Sequence, residues 1–361
     1  MSPRVATTVL FGNEALFKDG HGGPARARLA AIHAAVDGAA LPGVEWRIPR
    51  AATRVELERV HDPAYLAHLE HLRGLAPHAY EVRSILPGSL APVLLAAGAG
   101  IEGVELLLSG KARHVFCAVE PPGHHAERSR GMGFCAVNNV AVAAHHALEL
   151  GCERVLVVDW DVHHGNGTQH AFEERRDVLF FDCHQEGIFP ESGHSSEAGR
   201  GEGAGYTVNV PLPAGLGDAD YAAVFKQILE PVADRYRPDL VLVSAGFDAH
   251  GDDPLGGMQL SAGGFAWMCA VVRRIAERHA GGRLMLMLEG GYDAAAVGDS
   301  ARRCVEVLAG RRAKRVAGEP QAACLAAVEA ARRIAGLPSS PGRRRAGSRA
   351  RARPSLTLAD R

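Results

Sequence analysis

"RVLVVDWDVHHGNGT", residues 154–168, runs an unbroken apolar stretch straight into two acids, two imidazoles and two glycines. A short apolar run without polar alternation suits a strand covered on both faces, and the glycines end it in a turn. The same design recurs along the chain. "VATTVLF", "HVFCAV", "DVLFFDC", "LVLVSAG" and "RLMLMLE" are further strand candidates. Between them lie Ala- and Leu-rich stretches of helical length at 92–109, 138–150, 221–236 and 262–280. This alternation predicts an α/β fold: a single domain with a mostly parallel central sheet and helices on both faces.

Composition narrows the functional classes. A 47% hydrophobic fraction over 361 residues supplies a sizeable core, and a net charge of −1 removes any global attraction to nucleic acid or a membrane. Seven Cys, odd in number and without a CxxC pair, read as reduced thiols. The first residues lack the basic flank and apolar segment of a signal peptide, and no stretch approaches the ~20 apolar residues of a membrane span. The expectation is a cytoplasmic protein, as a monomer or a homo-oligomer, with neither a specific nucleic acid nor a membrane as partner. Residues 185–206, rich in Gly, Ser and charge, read as a long loop near the site. From residue 338 onward Arg clusters with Pro, Gly and Ser, the composition of a disordered tail following a domain at 1–337.

In an open α/β sheet, ligands bind beyond the carboxyl ends of the strands. Four candidate strands run into "EPPGHHAERSRGMGFC", "DVHHGNGT", "FDAHGDDPLGG" and "GGYD". Asp161 and His163, one residue apart, would point to the same side in extended geometry and grip one ion. Asp248, after another strand, is the best third ligand. An Asp–His–Asp set with an open position is the pattern of catalytic zinc, and carboxylate-rich ligation keeps iron or cobalt open. Asp159, one step deeper, is better placed to orient an imidazole. His124 and His125 follow "PPG" at a strand end and read as functional, whereas His145 and His146, inside an Ala-rich helix, read as structural.

"EPPGHHA", "GMGFCAVNNVAVAA", "VDWDVHHGNGTQ", "VSAGFDAHGDDPLGG" and "LEGGYD", in that order over residues 5–308, resemble the zinc-dependent histone deacetylase superfamily. The likeness is to its class II-like bacterial amidohydrolases, with acetylpolyamine amidohydrolases as relatives. The resemblance implies an arginase/deacetylase-like fold in which Asp161, His163 and Asp248 hold one zinc ion. It implies His125 as general base and then acid, His124 held by Asp159, and the Tyr292 phenol as donor to the oxyanion. Phe134 and Phe189 would wall a tunnel beside Gly133, with Leu255 at its gate where polyamine-selective members carry an acid. A structural potassium ion is implied near Asp159, Asp161, His163 and Asp182, and Asn166 as a neutral partner of His125.

Two stretches depart from the family pattern. "HGGPARARL", residues 21–29 with His21 and Arg28, replaces a more acidic segment, and Glu81 is the substitute for an acidic rim residue. The expected substrates are acylated proteins, peptides or small amines, with hydroxamates as inhibitors. Acetylpolyamine deacetylation is the alternative. Arginase-like dinuclear chemistry would need an acid at Gly165, and a catalytically dead acyl-lysine reader should have lost a ligand, the His pair or the Tyr; none is lost.

Overall fold

The computed structural model describes residues 7–11, 24–71 and 90–338. Among them eight strands form one sheet: β1 Thr7–Phe11, β2 Val44–Arg47, β3 His114–Ala118, β4 Val155–Asp159, β5 Val178–Gln185, β6 Thr207–Leu212, β7 Leu240–Ala245 and β8 Leu284–Leu288. Their spatial order is β2-β1-β3-β8-β7-β4-β5-β6, and every pairing is parallel.

The two faces of the sheet explain the apolar runs. Leu156, Val158, Val241, Val243, Leu284 and Leu286 point into one core, while their neighbours Val155, Val157, Leu240, Leu242 and Met285 point into a second on the opposite face. A strand buried on both sides has no position left for polar alternation. The first face is covered by helices including Ala262–His279 and Ala294–Leu308, and the second by Ala91–Leu108 and Asn139–Glu149. Ser261, Asp293 and Asn138 cap three of these helices through side-chain oxygens, each accepting an amide of the first turn. Ala91–Leu108 is the one helix among the described residues long and apolar enough to cross a membrane, with a mean hydropathy of 1.6, but 61% of it is buried inside the fold.

The six strands read from sequence are all present. β2 and β6 are additional, and both are edges of the sheet. β2 is short and only half-buried, and β6 contains Pro211, which an edge tolerates because one side needs no ladder. The helix expected at 221–236 begins at Asp218 and passes through a π-helical stretch, Phe225–Leu229, before continuing as Glu230–Tyr236. All seven Cys are free thiols.

His61 gives this fold a definable acid sensitivity. The Asn138 amide donates to its Nε2 (2.9 Å), so the proton sits on Nδ1, which donates to the Glu127 carbonyl (2.9 Å). The ring is fully buried, and burial pushes its pKa down to about 4. Unfolded chains take up this proton below about pH 6.5, the native state only near pH 4, so stability falls as pH drops through that window. The loss should total on the order of 3 kcal/mol. Denaturation midpoints measured from pH 7 to 4 are expected to show this decline, with a slope shallower by about one proton in His61→Gln. An unchanged slope would assign the sensitivity elsewhere.

Candidate active site

The central strands β3, β8, β7 and β4 lie side by side, although up to about 170 residues separate them in sequence, and their carboxyl ends bring four loops together. The loop after β4 carries Asp161 and His163, the loop after β7 carries Asp248, the loop after β3 carries His124 and His125, and the loop after β8 carries Tyr292.

Asp161 and His163 do converge, but not through extended geometry as their spacing suggested. The strand stops at Asp159, and residues 161–163 form a bend. Asp159 Oδ1 accepts the Asp161 amide (3.0 Å), and Asp161 Oδ1 accepts the His163 amide (2.9 Å). These carboxylate-to-amide bonds curl the chain until His163 Nδ1 lies 3.1 Å from Asp161 Oδ1 and 3.2 Å from Asp248 Oδ2.

Asp161, His163 and Asp248 present one ligand atom each within 4.8 Å of one another. Several features fit a cation at this point. Asp248 Oδ1 accepts the Val162 amide (2.9 Å), whereas its buried Oδ2 makes no hydrogen bond. Burial and the Asp161 charge push the Asp248 carboxyl up to about 6, and His163, despite burial, is raised to about 10 by its contacts with Asp161 and Asp248. Positive charge is what this cluster lacks. Gly290 makes room for it: a Cβ there would lie 1.9 Å from Asp248 Oδ2 and 2.5 Å from Asp161 Oδ2.

The imidazoles of His124 and His125 lie tilted against each other, centroids 4.0 Å apart, in opposite electrostatic settings. His124 Nδ1 sits 2.9 Å from Asp159 Oδ2. Burial opposes charge on this ring, but Asp159, Asp161 and Glu289 outweigh it and hold its pKa well above the usual value. His125 is pushed far below its usual value by burial and by the charge on His124. Its Nδ1 lies 2.8 Å from Asn166 Oδ1, and Asn166 Nδ2 in turn donates to Glu127 Oε1 (2.9 Å). The amide oxygen therefore faces His125, the proton stays on Nδ1, and Nε2 keeps a lone pair.

A cavity of about 390 Å³ rises from this cluster, lined by His124, His125, Asp161, His163, Asp248 and Tyr292 below and by Gly133, Phe134, Phe189 and Leu255 above. The three upper side chains are 44%, 45% and 51% exposed and gather around one opening, the kind of apolar cluster that marks a binding site. Phe189 meets His125 edge-on at 5.0 Å between centroids, and Phe134 lies 6.0 Å from Tyr292. Burial, then the charges of Asp248 and Asp161, hold the Tyr292 phenol well above its ordinary pKa, so it remains a proton donor.

Of the residues expected at the site, Asp161, His163, Asp248, His124, His125, Tyr292, Gly133, Phe134, Phe189 and Leu255 line this cavity, while Asp159 stands behind His124 and Asn166 behind His125. His145 and His146 lie elsewhere, His145 stacked on Phe172 and His146 between Arg59 and Glu105. His21 and Glu81 fall outside the described residues, as does the tail beyond Pro338.

Glu289 and Asp253 were not singled out by sequence reasoning, and Arg28 was noted only as part of a departing segment. Glu289, fully buried, accepts the amides of Gly123 (2.6 Å) and His124 (3.1 Å) and thereby locks the His pair to β8. Arg28 is read here as a buried tie rather than a loop residue: it bonds the Glu289 carbonyl, pairs with Glu120 (3.1 Å) and lies 5.5 Å from the Tyr292 ring. Asp253 accepts the Tyr292 amide. Glu289 sits within "LEGGYD" and Asp253 within "GDDPLGG", so position after a strand was the available signal.

A parallel α/β sheet with an Asp–His–Asp cation cluster at its carboxyl edge, a neutral imidazole beside it and a narrow apolar approach defines a metal-dependent hydrolase. Residues 24–308 match the histone deacetylase domain, and the chain belongs to that family of zinc-dependent hydrolytic deacetylases. It is 42% identical over 272 residues to the histone deacetylase-like amidohydrolase of Pseudomonas aeruginosa, covering 74% of this chain and 72% of that protein. It is 39% identical over 316 residues to human polyamine deacetylase HDAC10 and 38% identical over 279 residues to the chloroplastic histone deacetylase 14 of Arabidopsis thaliana. The chain covers 82% and 72% of itself in these two matches, but spans only 46% and 65% of the relatives' lengths. The crystal structure of the HDA15 HD domain superposes with a TM-score of 0.80 at 32% identity, covering 91% of this chain and 94% of that one.

Proposed function

We propose that this protein is a zinc-dependent amidohydrolase that removes acetyl or other acyl groups from the ε-amine of lysine in proteins or peptides. The carrying observation is the Asp161–His163–Asp248 cluster at the base of a tunnel walled by Phe134 and Phe189. An apolar tunnel suits the four-carbon stem of an acyl-lysine, the part of that side chain with no polar group to satisfy.

Asp161, His163 and Asp248 would hold the ion, which when bound supplies a Lewis acid for the amide carbonyl and an acidified water. His125, neutral and with Nε2 free, is placed to take a proton from the attacking water and return it to the leaving amine. His124, held charged by Asp159, contributes a fixed positive field next to the developing negative charge. Tyr292 donates its hydroxyl to the oxyanion. Asp182, the expected neighbour of a potassium ion, accepts the Gly165 amide (2.9 Å) and lies 2.6 Å from His184 Nδ1, and no step is assigned to that ion.

Leu255 supports acyl-lysine over acetylpolyamine. It stands exposed at the mouth and carries no charge to attract a distal ammonium. Turnover of acetyl-lysine peptides and of acetylpolyamines by the same metal-defined preparation tests this, and higher kcat/KM on the polyamine would overturn it. Leu255→Glu is expected to move the ratio of the two kcat/KM values by about tenfold towards the polyamine, since a carboxylate at the rim gives on the order of 1 kcal/mol to a cation. The gain should shrink at high salt. A ratio that stays put would mean Leu255 is not the gate.

A further inference from the structure

Asp253 joins two loops that the reaction needs in register. Only 7% exposed, it sits in the turn leading to Leu255. Its Oδ1 accepts the amides of Leu255 (2.9 Å) and Gly256 (3.3 Å), and its Oδ2 accepts the Tyr292 amide (2.6 Å) from a loop 39 residues away. One carboxylate thus fastens the tunnel mouth to the backbone of the phenol donor.

The Tyr292 loop requires such a fastening. Two glycines precede the tyrosine, and Gly291 has φ +115°, a conformation that side-chain-bearing residues rarely adopt. Glycine pairs give a backbone wide freedom, which here is removed at separate points: the Gly290 amide is held by Asp161 Oδ2 (2.7 Å), the Tyr292 amide by Asp253, and Asp293 caps the following helix. Of these anchors, Asp253 alone acts on the tyrosine's own amide. Its loss frees the peptide that aims the phenol.

We propose that Asp253 is a positioning residue for the oxyanion donor, holding Tyr292 in its catalytic placement while the same side chain shapes the gate at Leu255. This rests on the proposed role of Tyr292. A contact at the mouth that shifts Leu255 is therefore transmitted to the phenol through one side chain, so acyl-peptides that press on the rim differ in kcat as well as in KM.

Asp253→Asn separates the two functions. The amide oxygen keeps the side with two donors, Leu255 and Gly256, and the amide nitrogen is then left against the Tyr292 N–H, where it cannot accept. With acetyl-lysine peptide, kcat is expected to fall 10- to 100-fold with KM within threefold, the scale of loss for a catalytic group displaced by about 1 Å. Zinc content and melting temperature should stay near wild type. The same substitution made in a Tyr292→Phe background should cost less than threefold, because the hydroxyl it positions is already gone. Equal losses in the two backgrounds, or no loss in the single variant, overturn the proposal. If Asp253→Asn does not fold, Asp253→Ser, short of the Tyr292 amide but able to accept from Leu255, takes its place in the same cycle with the same expected outcomes. If Tyr292→Phe by itself loses no activity, the failure lies instead with the oxyanion role of Tyr292.

Discussion

Stripping metal from the purified protein is expected to abolish hydrolysis of acetyl-lysine peptides, and added Zn²⁺ to restore it. Asp161 and Asp248 are both fully buried and face one another across His163, an arrangement whose negative charge demands compensation. Cation binding to the native state should also stabilise it, by about 2.7 kcal/mol once the ion stands a hundredfold above its Kd, which gives a readout independent of turnover. Asp248→Asn provides the control. The amide oxygen can keep the Val162 bond now made by Oδ1, so the loop holds its shape, but an NH2 replaces the Oδ2 that faces His163 and presents protons to the ion. Zinc affinity is expected to drop by more than 100-fold, since altering even an outer-shell partner costs 10- to 100-fold. The zinc-dependent rise in melting temperature should vanish with it. Full activity in metal-free protein, or an unchanged zinc response in Asp248→Asn, would refute the assignment.

How much of this was legible in the sequence follows from where each contact is made. β4, β7 and β8 announce themselves because both faces are buried, which leaves uninterrupted apolar runs, and their carboxyl ends deliver Asp161, Asp248 and Tyr292 to one place by topology alone. β2 and β6 went unread because an edge strand needs only one partner and tolerates Glu45, Arg47, Asn209 and Pro211 in short runs. The ligand spacing pointed to residues that do converge, but for an incomplete reason: Asp161 and His163 meet through a bend stabilised by carboxylate-to-amide bonds. Least legible were the ties between loops. Glu289 reaches Gly123 across 166 positions and Asp253 reaches Tyr292 across 39, and no local pattern encodes which amide a buried acid will find.

Tyr292→Phe is expected to lower kcat on acetyl-lysine substrates by about 100-fold or more, the loss typical of one missing oxyanion donor. The hydroxyl is the only group removed, and the contacts that seat the residue remain: its amide on Asp253, its ring beside Phe134 and beneath Arg28. Zinc content should therefore be unchanged, because none of Asp161, His163 and Asp248 is altered. KM should move little, since the hydroxyl bond strengthens only as charge develops on the carbonyl oxygen. The phenol is suited to the task because burial and the neighbouring carboxylates Asp248 and Asp161 raise its pKa, which favours the protonated, donating form. A trifluoroacetyl-lysine substrate discriminates donor from bystander: its electron-poor carbonyl carries the developing charge with less help, so the penalty should be several-fold smaller than with acetyl-lysine. If the two substrates lose equally, or if the variant no longer takes up zinc, Tyr292 maintains the cavity and the oxyanion is stabilised by another group.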